Sequence, residues 1–113
     1  DNLIFNNNIL QVVGGLRLNR RNVSSTITAS ATDYYIGTDT SSGVLSIRLP
    51  DAANLLNGQT YVVKDEAGTA NSNNVTILAS GSQTIDGQNS VILESPFASI
   101  QLYCDGTNKY FIT

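Results

Sequence analysis

Apolar and polar residues alternate with a period of two through much of this chain, most regularly where Leu45, Ile47 and Leu49 are interleaved with Ser46 and Arg48. A β-strand sends successive side chains to opposite faces, so the pattern predicts a strand with one face in a core and the other towards solvent or a partner chain. Val75, Ile77 and Ala79 alternate with Thr76 and Leu78 less cleanly. Short runs rich in Val, Ile, Thr, Leu and Tyr recur between clusters of Gly, Asn, Asp and Ser, the signature of an antiparallel β domain. Strands are predicted over residues 9–13, 16–18, 23–29, 34–37, 44–49, 60–64, 74–79, 90–94, 99–104 and 110–113. Asp105-Gly106-Thr107-Asn108 reads as the tight hairpin connection between the last two, because Gly tolerates positive φ and Asp and Asn favour turns. One short helix is suggested over residues 51–57, with Asp51 as its cap and Gly58 ending it.

The first 22 residues differ from the rest. Asn6-Asn7-Asn8 interrupts an apolar stretch, and Val12-Val13-Gly14-Gly15-Leu16-Arg17-Leu18 reads as an extended ribbon with a glycine bend. Such a ribbon exposes Val12, Val13, Leu16 and Leu18 with nothing to pack on, so other copies of it are expected to supply the missing surface. A two-fold and a three-fold arrangement satisfy that requirement equally. The expected organisation is therefore a ribbon of residues 1–22 followed by a globular part of residues 23–113. The opening without methionine, at Asp1-Asn2-Leu3-Ile4-Phe5, fits a piece of a longer polypeptide.

Composition narrows the function. Charged residues make up 13% of the chain, against about 25% in an ordinary domain, so its surface is largely neutral and polar. A net charge of −3, with only Arg17, Arg20 and Arg21 clustered, leaves no basic footprint for nucleic acid. No apolar run approaches the roughly 18 residues that span a bilayer, so membrane insertion is not expected. Histidine is absent and Cys104 is the only cysteine, which disfavours acid–base catalysis, a supported thiol nucleophile, zinc and an internal disulfide. Cys104 is expected in the core, on one strand face with Ile100 and Leu102. The Asp65-Glu66 pair is read as opening a solvated turn, and Asp33, Asp39, Asp86 and Asp105 as turn formers. No metal, no cofactor and no enzymatic activity are expected.

The stretch Ala31-Thr32-Asp33-Tyr34-Tyr35-Ile36-Gly37-Thr38-Asp39-Thr40 is followed in order by Leu45-Ser46-Ile47-Arg48-Leu49-Pro50 and by Gly58-Gln59-Thr60-Tyr61-Val62-Val63-Lys64-Asp65-Glu66-Ala67-Gly68. Asn74-Val75-Thr76-Ile77, Gln83-Thr84-Ile85-Asp86-Gly87 and residues 100–110 continue the series. This ordered set resembles a module found at the C-terminal ends of tail fibre and spike proteins of phages and other viruses. The resemblance covers residues 23–113, and Gly14-Gly15-Leu16-Arg17-Leu18 is similar to the ribbon that often precedes such heads. It implies a small antiparallel β-sandwich or barrel that forms a homotrimer on the virion surface, among other virion proteins, and attaches to a host surface glycan or protein. It carries over no catalytic residue and names no receptor. A second reading is a carbohydrate-binding module of a bacterial or phage surface protein, in which Tyr34, Tyr35, Tyr103 and Tyr110 stack on sugar rings.

Overall fold

The computed structural model describes residues 3–113, and among them the regular structure is β-strand apart from one turn of 3-10 helix at Ala52–Asn54. In chain order the strands are β1 (Leu3–Asn6), β2 (Ile9–Val12), β3 (Arg20–Val23), β4 (Ile27–Thr28), β5 (Tyr35–Thr38) and β6 (Leu45–Arg48). They continue as β7 (Thr60–Asp65), β8 (Val75–Leu78), β9 (Thr84–Ile85), β10 (Ser90–Leu93), β11 (Ser99–Cys104) and β12 (Lys109–Ile112). β1 and β2 pair only with each other among the described residues. The remainder forms a six-stranded sheet ordered β3-β5-β7-β11-β12-β9 and a four-stranded sheet ordered β10-β8-β6-β4.

From β3 to β8 the chain visits the two sheets in turn, so that β3, β5 and β7 lie parallel in the larger sheet and β4, β6 and β8 lie parallel in the smaller. The reversal comes afterwards, where β10 runs antiparallel to β8, β11 to β7 and β12 to β11. The purely antiparallel architecture expected from the sequence is therefore corrected to one of mixed sheets. Parallel neighbours need a long crossover, which is ordinarily a helix. Here each crossover is itself a strand of the opposite sheet, so the winding needs no helix. Alternation along a strand reports which face is buried and says nothing of the direction of its neighbour.

The winding stacks like residues on like. Ile27, Ile47, Ile77 and Val91 occupy one row across the smaller sheet, and Ile36, Val63 and Ile100 one row across the larger. Leu45, Ile47 and Leu49 are buried and Arg48 is exposed, as the periodicity predicts, and one core cluster draws on both sheets. Cys104 lies in that core, its thiol 3.3 Å from the Leu56 carbonyl oxygen. Tyr61 and Tyr110 are also fully buried, and their hydroxyls donate to the carbonyl oxygens of Ser30 and Pro50 at 2.9 and 2.5 Å.

Several expected segments change. Residues 23–29 do not form one strand, because Ser24-Ser25-Thr26 carries the chain from the larger sheet to the smaller. Residues 16–18 join no ladder, whereas Leu3–Asn6 and Thr84–Ile85, unanticipated, do. The expected helix shrinks to Ala52–Asn54: Asp51 caps it by accepting from the Ala53 N–H at 2.9 Å, and Leu55 is already extended so that the chain can reach β7. The boundary drawn after Asn22 falls inside β3, and the body begins at about Asn19, whose carbonyl accepts from the Tyr35 N–H at 2.9 Å.

Asp65 is also corrected, being fully buried at the end of β7 rather than solvated. The hairpin at residues 105–108 forms as expected, with the Asp105 N–H donating to the Lys109 carbonyl at 3.0 Å and Gly106 at φ 76°. A Cβ on Gly106 would stand 2.9 Å from the Asn57 backbone nitrogen. Gly106→Val is therefore expected to lower stability by more than about 1 kcal/mol, through backbone strain and that clash together. Urea unfolding checks it, and a midpoint unchanged from the parent chain would contradict it.

Candidate interaction surfaces

The N-terminal ribbon is a hairpin followed by an extended connection. Asn7 and Asn8 take φ of 52° and 63° between Asn6 and Ile9, the two-residue turn that best matches strand twist, and Asn is among the few residues that tolerate it. Phe5 lies opposite Leu10 on one face of the pair, with Val12 two residues further along. Ile4 opposite Gln11, and Asn6 opposite Ile9, make a mixed second face. Phe5 is 73% exposed, Ile9 66% and Leu10 60%. Of the residues singled out from sequence, Val13 and Leu16 are exposed and Val12 and Leu18 half-buried, so all four have accessible surface in the single chain. The connection then passes an open depression lined by Arg17, Leu18, Asn19 and Arg20. Phe5, Leu10, Ile4 and Ile9 were missed, although Asn7-Asn8 between two apolar runs was a usable hairpin signal.

A second surface is the outer face of the six-stranded sheet. Tyr35, Val62 and Gln101 form one row of it, and Thr60, Tyr103 and Phe111 the adjoining row. Tyr35 and Tyr103 are 42% and 38% exposed. Each has an aromatic neighbour: Tyr34 meets Tyr35 edge-on with ring centroids 4.8 Å apart, and Phe111 meets Tyr103 at 5.5 Å. Tyr110, expected with them, is corrected. It is fully buried on the inner face opposite Cys104, and the alternation of β12 turns Phe111 outwards in its place.

Beyond this stripe the same sheet becomes polar. Arg20 grips Glu66 through Nε at 3.0 Å and Nη2 at 2.5 Å, and Asn22 adds a bond at 2.8 Å. The Arg20 guanidinium holds the Glu66 carboxyl below its ordinary range, with burial opposing and Asn22 assisting. The clamp lies flat because Gly37 has no side chain: a Cβ there would stand 2.0 Å from the Glu66 carboxyl. Arg21 makes the matching pair on the inner side, at 3.1 and 2.7 Å from the carboxylate of buried Asp33. These pairs close the edge of the winding and present no reactive group. Among the described residues, no three His, Cys, Asp or Glu side chains gather where they could hold a metal ion. Compared with known proteins, no protein-family model matches the chain and no curated protein is similar to it.

Proposed function

We propose that this chain is a structural module of a virus particle, part of a tail fibre or spike, which forms a homotrimer and contributes to attachment to the host surface. What supports the reading, beside the resemblance, is the apolar hairpin, free of charged residues from Asn2 to Leu16, that stands outside the core of the body. The core cluster runs from Val23 to Tyr110 and includes none of residues 4–18. The ribbon therefore adds little to the body, yet each apolar side chain it buried on assembly would contribute about 1.5–3 kcal/mol. Val12, Val13, Leu16 and Leu18 are joined in that role by Phe5 and Leu10. The body closes as a β-sandwich in this reading, each sheet turning one face to the shared core.

Removing residues 1–18 keeps Asn19 and β3 and so leaves the body complete. The full chain is expected to sediment as a trimer at micromolar concentration, and the shortened chain as a folded monomer with a similar melting temperature. A shortened chain that stays the same oligomer, or a full chain that is monomeric, overturns the proposal. The alternative is a carbohydrate-binding module, favoured by the outer-face stripe in which exposed Tyr35 and Tyr103 are flanked by half-buried Val62 and Phe111. It expects a monomer that binds oligosaccharide and loses binding on Tyr103→Ala.

A further inference from the structure

We infer that the β1–β2 hairpin takes a second copy of itself as its partner by strand addition, β1 of one copy pairing edge to edge with β2 of the next until the ring closes. The inference rests on the assembly reading above and specifies how the ribbon is covered. Exposed strand edges invite pairing with other chains, and proteins that stay separate blunt them with charge, proline or shortness. The body does so: its edge strand β3 carries Arg20 and Arg21, β4 and β9 are two residues long, and β10 runs into Glu94 and Pro96. The hairpin does the opposite. No Asp, Glu, Lys or Arg occurs from Asn2 to Leu16, so neither β1 nor β2 is protected. Around a symmetry axis each residue lies near its own copies, where any charge would face the same charge. A charge-free hairpin is what such an axis requires.

The two faces decide the geometry. Phe5, Leu10 and Val12 make one face wholly apolar, while Asn6 and Gln11 interrupt the other. A ring of hairpins buries the first face inside and leaves the mixed face outside, whereas a face-to-face pair would leave every edge open. An isolated two-stranded hairpin is marginal in water, so closure also supplies the strands it lacks.

Hydrogen-bonded and non-bonded pairs alternate along an antiparallel ladder. Asn6 and Ile9 close the two-residue turn and are a bonded pair, so Phe5 opposite Leu10 is a non-bonded one, and the amides of Phe5, Leu10 and Val12 point away from the hairpin. In the full chain, hydrogen exchange at these three amides is expected to slow about 100-fold on assembly. Leu10→Pro, which removes an outward N–H, is expected to weaken association about tenfold more than Leu10→Ala, which keeps it. An oligomer whose outward amides exchange freely, or are protected along one strand only, overturns the ring while leaving the assembly reading intact. Equal effects of Leu10→Pro and Leu10→Ala overturn it as well. A full chain that is monomeric at every concentration overturns both.

Discussion

Replacing Asp65 with alanine is expected to remove roughly 3–5 kcal/mol of stability, much of what a domain of this size has to lose. Its carboxylate ends β7 inside the protein and accepts from the Gly68, Ala70 and Phe97 N–H groups, each at 3.0 Å. Alanine would leave the buried Ala70 N–H and the part-buried Gly68 and Phe97 N–H groups without their acceptor, each at about 1–3 kcal/mol where water does not replace it. It would also release Phe97, a non-glycine residue held at a left-handed φ of 61°. The Phe97 ring covers Gly68 so closely that a Cβ there would lie 2.5 Å from it. One carboxylate thus holds two loops together, and the strained residue persists because its surroundings fix it. Urea unfolding tests this, with a lower midpoint expected at unchanged slope. A loss under about 1 kcal/mol would mean that water reaches the stranded groups.

The same group makes stability depend on acid. Burial pushes the Asp65 carboxyl up, but the N–H donors of Ala70, Phe97, Gly68 and Thr69 together outweigh it and hold it below the ordinary aspartate value. A carboxyl depressed by folding contributes its stability fully above the unfolded value of about 3.9 and loses it as pH falls through the lower folded value. Asp65→Ala should therefore flatten the acid limb of the stability curve as well as lower its plateau.

The sequence made strand positions and faces legible because both are local. Leu45, Ile47 and Leu49 point inwards for the same reason that they alternate with Ser46 and Arg48, and the turn at Gly106 follows from local backbone chemistry. Strand direction depends on which distant segment lies alongside. Nothing near Tyr35 says that it will lie between Arg20 and Val62 in a parallel row. The burial of Asp65 is illegible for a similar reason, since its donors lie in the following loop and at Phe97, 32 residues away. On the surfaces, the ribbon's apolar character was plain, but its pairing depended on reading Asn7-Asn8 as a turn. Whether Tyr110 or Phe111 faces outwards is not local either, because pairing with Cys104 across the hairpin fixes the phase of the strand.

Raising the pH beyond about 10 is expected to destabilise the fold through the two buried tyrosines. Burial, and then the charges of Asp33 and Cys104, push the Tyr61 phenol from 10.0 up to about 12. Burial, followed by Tyr61, Cys104 and Asp51, pushes Tyr110 up as well. Both hydroxyls donate to backbone carbonyls, a role open only to the protonated form. A phenol whose folded pKa lies above its unfolded value binds more protons folded than unfolded in that interval, so stability falls with rising pH. The contribution is fully present below the unfolded value and is lost as pH rises through the folded one. For Tyr61 the interval between the two values corresponds to about 2–3 kcal/mol. Urea midpoints measured from about pH 9 to pH 11.5 should therefore decline steadily, and Tyr110→Phe, which lacks the titrating hydroxyl, should decline less steeply. Absorbance of the phenolate supplies the second readout, with Tyr61 and Tyr110 in the folded protein ionising above the ordinary phenol value. If Tyr61 and Tyr110 ionise at the ordinary value while the midpoint stays constant, the buried phenols do not couple to the fold as described.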